Sequence, residues 1–310
     1  MANQGEQIQG GREWSPLVAF GGKRRKHFFS AQDCVGLALL LLVLLWIIKK
    51  ASALPQYEWQ WPLLGEFLVH RNPKGELEAG LLLQGLFTTL RVGFWSFLLA
   101  VILGSLLGFC FAGRRGLHAL SYRFLVNIIR NTPPLVLLFC VYFFAGNFLP
   151  MAELEGVYRN LPLPVQELAT AIYAPVGQLD RMTAAVLALG IYQCAYMAEI
   201  FRAGIESVDR GQWDASLALG FSRAQSLRHV ILPQSFRLIL PPMTGQAISS
   251  FKDSALASLI SLPDLTFQSL EIMAVSRMTF EVWVTCGILY MVLGAVCALA
   301  GRYLEKSFTF

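Results

Sequence analysis

Gly211-Gln212-Trp213-Asp214-Ala215-Ser216-Leu217-Ala218-Leu219-Gly220-Phe221-Ser222-Arg223-Ala224-Gln225-Ser226-Leu227-Arg228-His229-Val230-Ile231-Leu232-Pro233 is a polar, small-residue-rich stretch between two apolar ones. A plain connection would need only a few residues of turn chemistry. This one reads as two short helices joined at a glycine. Gly220 suits the left-handed position that ends a helix. Ser222, with Gln225 three positions on, makes a capping box that starts the next. Leu232-Pro233 is expected to stop that second helix, because the residue before proline is pushed out of helical geometry. The expected product is a rigid knob.

The surroundings of the knob are those of a membrane protein. Hydrophobic residues make up 55% and charged residues 15%, against about 25% charged in soluble domains. Six apolar stretches stand out, at 34–48, 86–112, 124–149, 182–201, 238–262 and 282–300. Most reach the roughly twenty residues a helix needs to cross hydrocarbon. The expected fold is therefore an all-α membrane protein of about six transmembrane helices, embedded in a lipid bilayer. Counting Lys and Arg gives fifteen in the N-terminus, 112–123, 202–237 and the C-terminus, and seven in 49–81, 150–181 and 263–281. Positive charge stays in the cytoplasm. Both termini and the knob are thus expected there, with Lys23-Arg24-Arg25-Lys26 just ahead of the first span.

The chain divides accordingly into a basic arm at 1–33, an extra N-terminal helix at 34–50, an exoplasmic segment at 51–80 and a main membrane domain at 81–305. Ala51-Ser52-Ala53 resembles a signal-peptide cleavage site. Lys49 and Lys50 intervene where charge is normally excluded, so the first span is expected to be retained. Trp59, Trp61, Pro62 and Pro73 suit a shallow amphipathic piece in the exoplasmic segment. Four prolines (Pro150, Pro162, Pro164, Pro175) should keep 150–181 irregular or briefly helical. Gly104 and Gly108 form a small-xxx-small pattern that lets another helix approach. The six cysteines fall in or beside spans with no Cys-x-x-Cys pair, which argues against disulfides or zinc and for packing.

Polar groups interrupt the apolar stretches in three places. Lys252-Asp253-Ser254 lies near the middle of the expected fifth span, where ionisable residues default to a functional hypothesis. A buried charge pair locking helices is the other reading. Arg130-Asn131-Thr132-Pro133-Pro134 comes early in the expected third span. Its prolines strip backbone donors and free carbonyls that suit a pathway lining at Asn131, Thr132 and Pro133. A simple kink is the bland alternative. Glu199 and Arg202, at i and i+3, are expected to form a structural ion pair.

The knob resembles the EAA loop of ABC importer permeases: Asp214-Ala215-Ser216, Gly220, then Leu232-Pro233, with Gly211 opening the stretch. Two positions depart, with Asp214 in place of glutamate and Ser216 in place of the second alanine. Arg130-Asn131-Thr132-Pro133-Pro134-Leu135-Val136, Ala195 to Ile205, and Leu240-Pro241-Pro242 leading to Lys252-Asp253-Ser254 are similar to the polar amino acid permeases. Leu137 departs where relatives commonly carry glutamine. The resemblance spans about 85–305. It implies a type I ABC importer transmembrane domain in the bacterial inner membrane, with a cytoplasmic coupling loop at 203–236. It also implies three kinds of partner: an ATPase dimer that carries ATP and Mg, a second permease subunit, and a periplasmic solute-binding protein. A zwitterionic solute could then meet Lys252 or Asp253.

No Gly-x-x-x-x-Gly-Lys-[Ser/Thr] occurs, so the nucleotide site of such a complex belongs to another chain. There is no nucleophilic constellation, no histidine metal cluster and no charge balance that points to nucleic acid. No catalytic residue, metal site or cofactor is expected in this chain. An ion- or proton-coupled secondary transporter would also explain Lys252 and Asp253, but it leaves the knob without a purpose. A scaffold bound to an ATPase would explain the knob and not the charges.

Overall fold

The computed structural model describes residues 31–52, 57, 59–113 and 116–307. The chain forms two units, 1–58 and 59–310. In the first, α1 (Ala31–Ser52) runs 22 residues. It continues past Lys49 and Lys50, beyond the expected boundary. The basic run Lys23–Lys26 and Ala53 of the cleavage-like triplet lie outside the described residues.

The second unit opens with α2 (Trp61–Leu68), started by Pro62 in its first turn. A small antiparallel hairpin follows, β1 (Val69–Arg71) and β2 (Leu77–Ala79), with His70 opposite Glu78. Then come α3 (Leu81–Phe111), α4 (Leu117–Asn131), α5 (Pro134–Phe148), α6 (Met151–Arg159), α7 (Leu163–Ile172) and α8 (Leu179–Glu206). The knob contains α9 (Arg210–Ala218) and α10 (Arg223–Ser226). A π-helical turn (Leu227–Ile231) leads into α11 (Leu232–Asp253), which passes into a 3₁₀ helix (Ser254–Ile260). α12 (Leu265–Ser276) and α13 (Thr279–Ser307) complete the chain.

Among the described residues, α3, α8 and α13 are long and apolar enough to cross a membrane singly. They match the second, fourth and sixth expected spans. α8 is the central one: 67% of its most apolar window is buried, against 22% for α3 and α13. Its small residues explain this, since Ala184, Ala185, Ala188, Ala195 and Ala198 let neighbours in on several sides. α3, α5, α8 and the 3₁₀ helix share one core around Val92, Leu138, Leu189 and Leu262. A second core at Leu64, Leu82, Leu265, Ile272 and Val282 ties α2, α3, α12 and α13 together.

The small-residue pattern of α3 meets α8. A Cβ at Gly104 would lie 2.4 Å from that of Met197, and one at Gly108 would lie 2.6 Å from that of Phe201. Gly104→Leu is therefore expected to force α3 off α8 and destabilise the fold by about 1–3 kcal/mol. Gly287→Leu, where the added carbon meets nothing within 4 Å, should be silent. Thermal midpoints of the two purified variants in detergent check this.

Two expected spans are corrected. The third, drawn as one helix over 124–149, is α4 and α5 bent at 98°. Thr132 is extended (φ −82°, ψ 129°), as the residue before Pro133 prefers. The fifth is not a uniform apolar span with its charges near the middle. α11 contains Pro241 and Pro242, and Lys252-Asp253-Ser254 falls where α-helix passes into 3₁₀ helix. Ahead of α8, the stretch expected to be irregular or briefly helical forms the short helices α6 and α7. The Arg91 guanidinium donates to the Thr170 carbonyl and the Trp95 indole to that of Ile172 (2.9 Å), which pins the end of α7 to α3.

Candidate functional site: a capped knob and a polar seam

The knob is built by four local devices. Asp209 caps α9, its carboxylate accepting the Gly211 N–H at 2.6 Å. At the other end the Gly220 N–H donates to the Leu217 carbonyl (2.9 Å) and the Phe221 N–H to that of Ser216 (3.2 Å). This paired closure is a Schellman motif. It needs the left-handed backbone that Gly220 adopts, at φ +86°. Two residues on, the Ser222 hydroxyl accepts the Gln225 N–H (3.3 Å) and the Gln225 side chain accepts the Ser222 N–H (2.8 Å). Both halves of the capping box are thus made, and α10 starts without an unsatisfied donor at its cap.

The fourth device corrects a sequence expectation. Leu232-Pro233 does not stop the second helix. Leu232 is helical (φ −56°, ψ −47°) and the chain continues straight into α11. Proline is excluded from a helix by its missing N–H and by a clash with the carbonyl four residues back. The π-turn at Leu227–Ile231 widens the helix just there, and a π-bulge is a known way to absorb such a residue. The knob is therefore joined to α11 by continuous helix.

Its base is anchored by Trp213, Leu227 and Val230, packed on Ile205, Val208 and Ile231. Ser216 is buried, its hydroxyl donating to the Trp213 carbonyl at 2.8 Å. Asp214 and Ala215 are exposed. At the tip, Leu217, Leu219 and Phe221 are bare, Leu219 at 78% exposure. Exposed apolar side chains grouped on a projection mark a protein- or membrane-interaction surface.

Glu199 and Arg202 sit at the foot of the knob. Arg202 donates to Glu199 at 2.7 and 3.4 Å and to Glu206 at 2.5 Å. Glu206 in turn accepts the Gly113 N–H at 3.2 Å. The network spans two turns of α8 and reaches the α3–α4 connection.

The remaining candidates form a seam along α8 without touching one another. Asn131, Thr132 and Pro133 make the α4–α5 bend. The Thr132 hydroxyl donates to the Ile128 carbonyl at 2.8 Å, and Asn131 and Pro133 are exposed. Lys252 is exposed, Asp253 is half-buried beside Gln193, and Ser254 is buried, donating to the Phe251 carbonyl at 2.8 Å. No ion pair within 4 Å joins Lys252 to Asp253 among the described residues. Between the two groups lie Tyr192 and Tyr196, hydroxyl to hydroxyl at 3.1 Å. Tyr196 carries the Arg130 guanidinium 5.0 Å from its ring centre. Tyr192 lies within electrostatic reach of both Asp253 and Arg130.

The sequence reading named Arg130 only within its motif, with a surface arginine at a kink as the bland alternative, and gave no role to Arg91, the tyrosine pair or Asp264. A lone arginine inside an apolar run was a readable signal for Arg91. Asp264 is fully buried and caps α12, accepting the Phe267 N–H at 2.8 Å.

The chain is similar to known transport proteins. The family described as "Binding-protein-dependent transport system inner membrane component" matches residues 100–310. The glutamine transport system permease protein GlnP of Escherichia coli K12 is 32% identical over 229 residues, covering 73% of this chain and 92% of its own. The arginine transport system permease protein ArtQ of Bacillus subtilis is 28% identical, covering 73% and 91%. A solved structure titled "Crystal structure of an amino acid ABC transporter with histidines" superposes with a TM-score of 0.58 at 30% identity, covering 73% of this chain and 94% of that one. With a double-capped knob on a bundle of apolar helices and matches along most of its length, this chain belongs to the family of binding-protein-dependent transport system inner membrane components.

Proposed function

We propose that this chain is the permease subunit of an ATP-binding-cassette importer that carries a polar amino acid across the bacterial inner membrane. The observation that carries the reading is the knob at 209–233, with α9 capped at both ends, α10 capped at its start and an apolar tip. Such a projection transmits force only if a partner holds it. In this reading the partner is an ATPase dimer, which supplies ATP and Mg chemistry that this chain lacks. A second permease, identical or related, completes the pathway, and a periplasmic binding protein delivers solute. The relatives' names, glutamine, arginine and glutamate/aspartate, support the polar amino acid class.

ATP binding closes the ATPases and draws the two knobs together. Because the knob runs unbroken into α11 and is packed on the end of α8, its displacement turns both helices. The pathway then opens outward to accept solute. In this reading Asn131, Thr132, Pro133, Lys252, Asp253 and Ser254 line it.

Orientation is tested by labelling. Ala215→Cys in a cysteine-free background should react with an impermeant maleimide in inside-out vesicles and not in right-side-out ones. The reverse pattern would overturn the topology. Substrate class is tested with the complex and its binding protein in proteoliposomes, offered labelled glutamine, glutamate, arginine and histidine. One or more should accumulate, and failure of all four would overturn the substrate assignment.

A further inference from the structure

The helix α4 presents three different faces. Tyr122 and Val126 are buried against Ala195 and Ala198 of α8. At about 100° per residue, Leu117, Leu120, Phe124 and Ile128 fall together on a second face, turned away from α8. All four are exposed, Leu117 at 75% and Phe124 at 68%. Arg123 lies on the flank between these two faces. The helix meets α5 at 98°, so where α5 stands in the bilayer α4 runs along the membrane plane. Its contact Ala198 is eight residues, about 12 Å, from Glu206, the end of α8 that leads into the knob. A helix in that attitude buries its apolar face at the boundary of headgroups and acyl chains.

The charge beside that face has one sign. Residues 79–152 contain no Asp, Glu or Lys, and four of their arginines, Arg114, Arg115, Arg123 and Arg130, fall within 114–130. Arg130 is engaged, stacked on Tyr196 and within electrostatic reach of Glu199. Arg123 is different. Its side chain is exposed and makes no ion pair within 4 Å among the described residues. An arginine on such a flank lays its stem along apolar surface and carries its head to headgroup level. The guanidinium fork matches a phosphate with two parallel hydrogen bonds. α5, next in the chain, is likewise exposed at Val136, Phe143 and Phe144, so bare apolar surface continues beyond the bend.

We propose that α4 is a surface-lying helix that seats its Leu117–Ile128 face in the leaflet on the knob's side, and that Arg123 binds the phosphate of an anionic phospholipid there. The inference needs only a membrane-embedded chain and does not rest on the import function. An apolar face with an unpaired guanidinium on its flank is complementary to a molecule that offers acyl chains and a phosphate side by side. A zwitterionic headgroup offsets its phosphate with its own ammonium. An anionic one does not, and the one-signed charge of 114–130 selects it.

The test uses the full chain with Phe124→Cys in a cysteine-free background, labelled with bimane and reconstituted in phosphatidylcholine vesicles. Nitroxide-labelled phosphatidylglycerol or nitroxide-labelled phosphatidylcholine, with the same acyl chains, is titrated in, and quenching of the bimane is the readout. Both lipids should quench. Phosphatidylglycerol should reach half-maximal quenching at about fivefold lower mole fraction, the factor one arginine at an anionic surface supplies. Arg123→Gln should bring the two lipids level, and Arg123→Lys should keep much of the preference. Equal quenching by the two lipids with Arg123 in place overturns the anionic-lipid site. An undiminished preference in Arg123→Gln overturns Arg123 as its source. Quenching by neither lipid, the result expected if another protein covers this face, overturns the seating of α4 in the membrane.

Discussion

A valine at Gly220 should abolish ATP-driven transport while leaving the membrane helices assembled. Gly220 sits at φ +86° with nothing within 4 Å of an added Cβ. Space is therefore not the obstacle, and the backbone is. An L-residue in the left-handed region costs about 1–2 kcal/mol, and a β-branched one is an outlier there. Relaxing that strain breaks the paired closure made by the Gly220 and Phe221 N–H groups. α9 and α10 then lose their fixed angle, and the exposed Leu217, Leu219 and Phe221 no longer present one surface. The cores at Val92 and Leu82 lie in other elements, so insertion and yield of the variant should match wild type. The ATPase should be lost on purification, or retained without stimulation by loaded binding protein. Asp214→Ala, which alters an exposed side chain without touching the caps, should be milder, and Asp214→Glu near neutral. Wild-type transport by Gly220→Val would remove the knob from the mechanism.

Neutralising Lys252 or Asp253 should give the second large effect, an assembled complex with defective uptake. Breaking a buried ion pair strands one charge at a cost of about 3–5 kcal/mol, and a double neutralisation would rescue such a pair. The geometry argues against that account. Lys252 is exposed and makes no ion pair with Asp253 within 4 Å, and Asp253 lies beside Gln193. Both stand at the change from α-helix to 3₁₀ helix, on the seam continued by Tyr192 and Tyr196. Lys252→Met and Asp253→Asn keep volume and remove charge. Each should leave the yield of complex normal and lower uptake strongly, and the double variant should be no better than either. Low yield of both single variants, with rescue in the double, would make these residues structural.

The difference between what sequence exposed and what it hid follows the range of the chemistry involved. Gly220, Ser222 and Gln225 announce the knob because caps are made by residues within five positions of each other. The runs behind α3, α8 and α13 announce themselves by length and apolarity. Pro133-Pro134 shows that a helix must break, but the 98° turn depends on how α5 packs on α8, which no local pattern encodes. Leu232-Pro233 misleads for a related reason. The penalty on proline assumes α-helical geometry, and the π-turn upstream removes it. The contact of Arg130 with Tyr196 joins positions more than sixty residues apart. Only the folded chain brings them together.

In the proposed mechanism solute moves because an ATPase moves the knob. The most direct test is accumulation of the labelled amino acid in proteoliposomes bearing this chain, its ATPase and its binding protein. Uptake should require hydrolysable ATP, stop with a non-hydrolysable analogue, and ignore collapse of proton and sodium gradients. Accumulation without ATP, driven by an imposed proton or sodium gradient, would contradict the account.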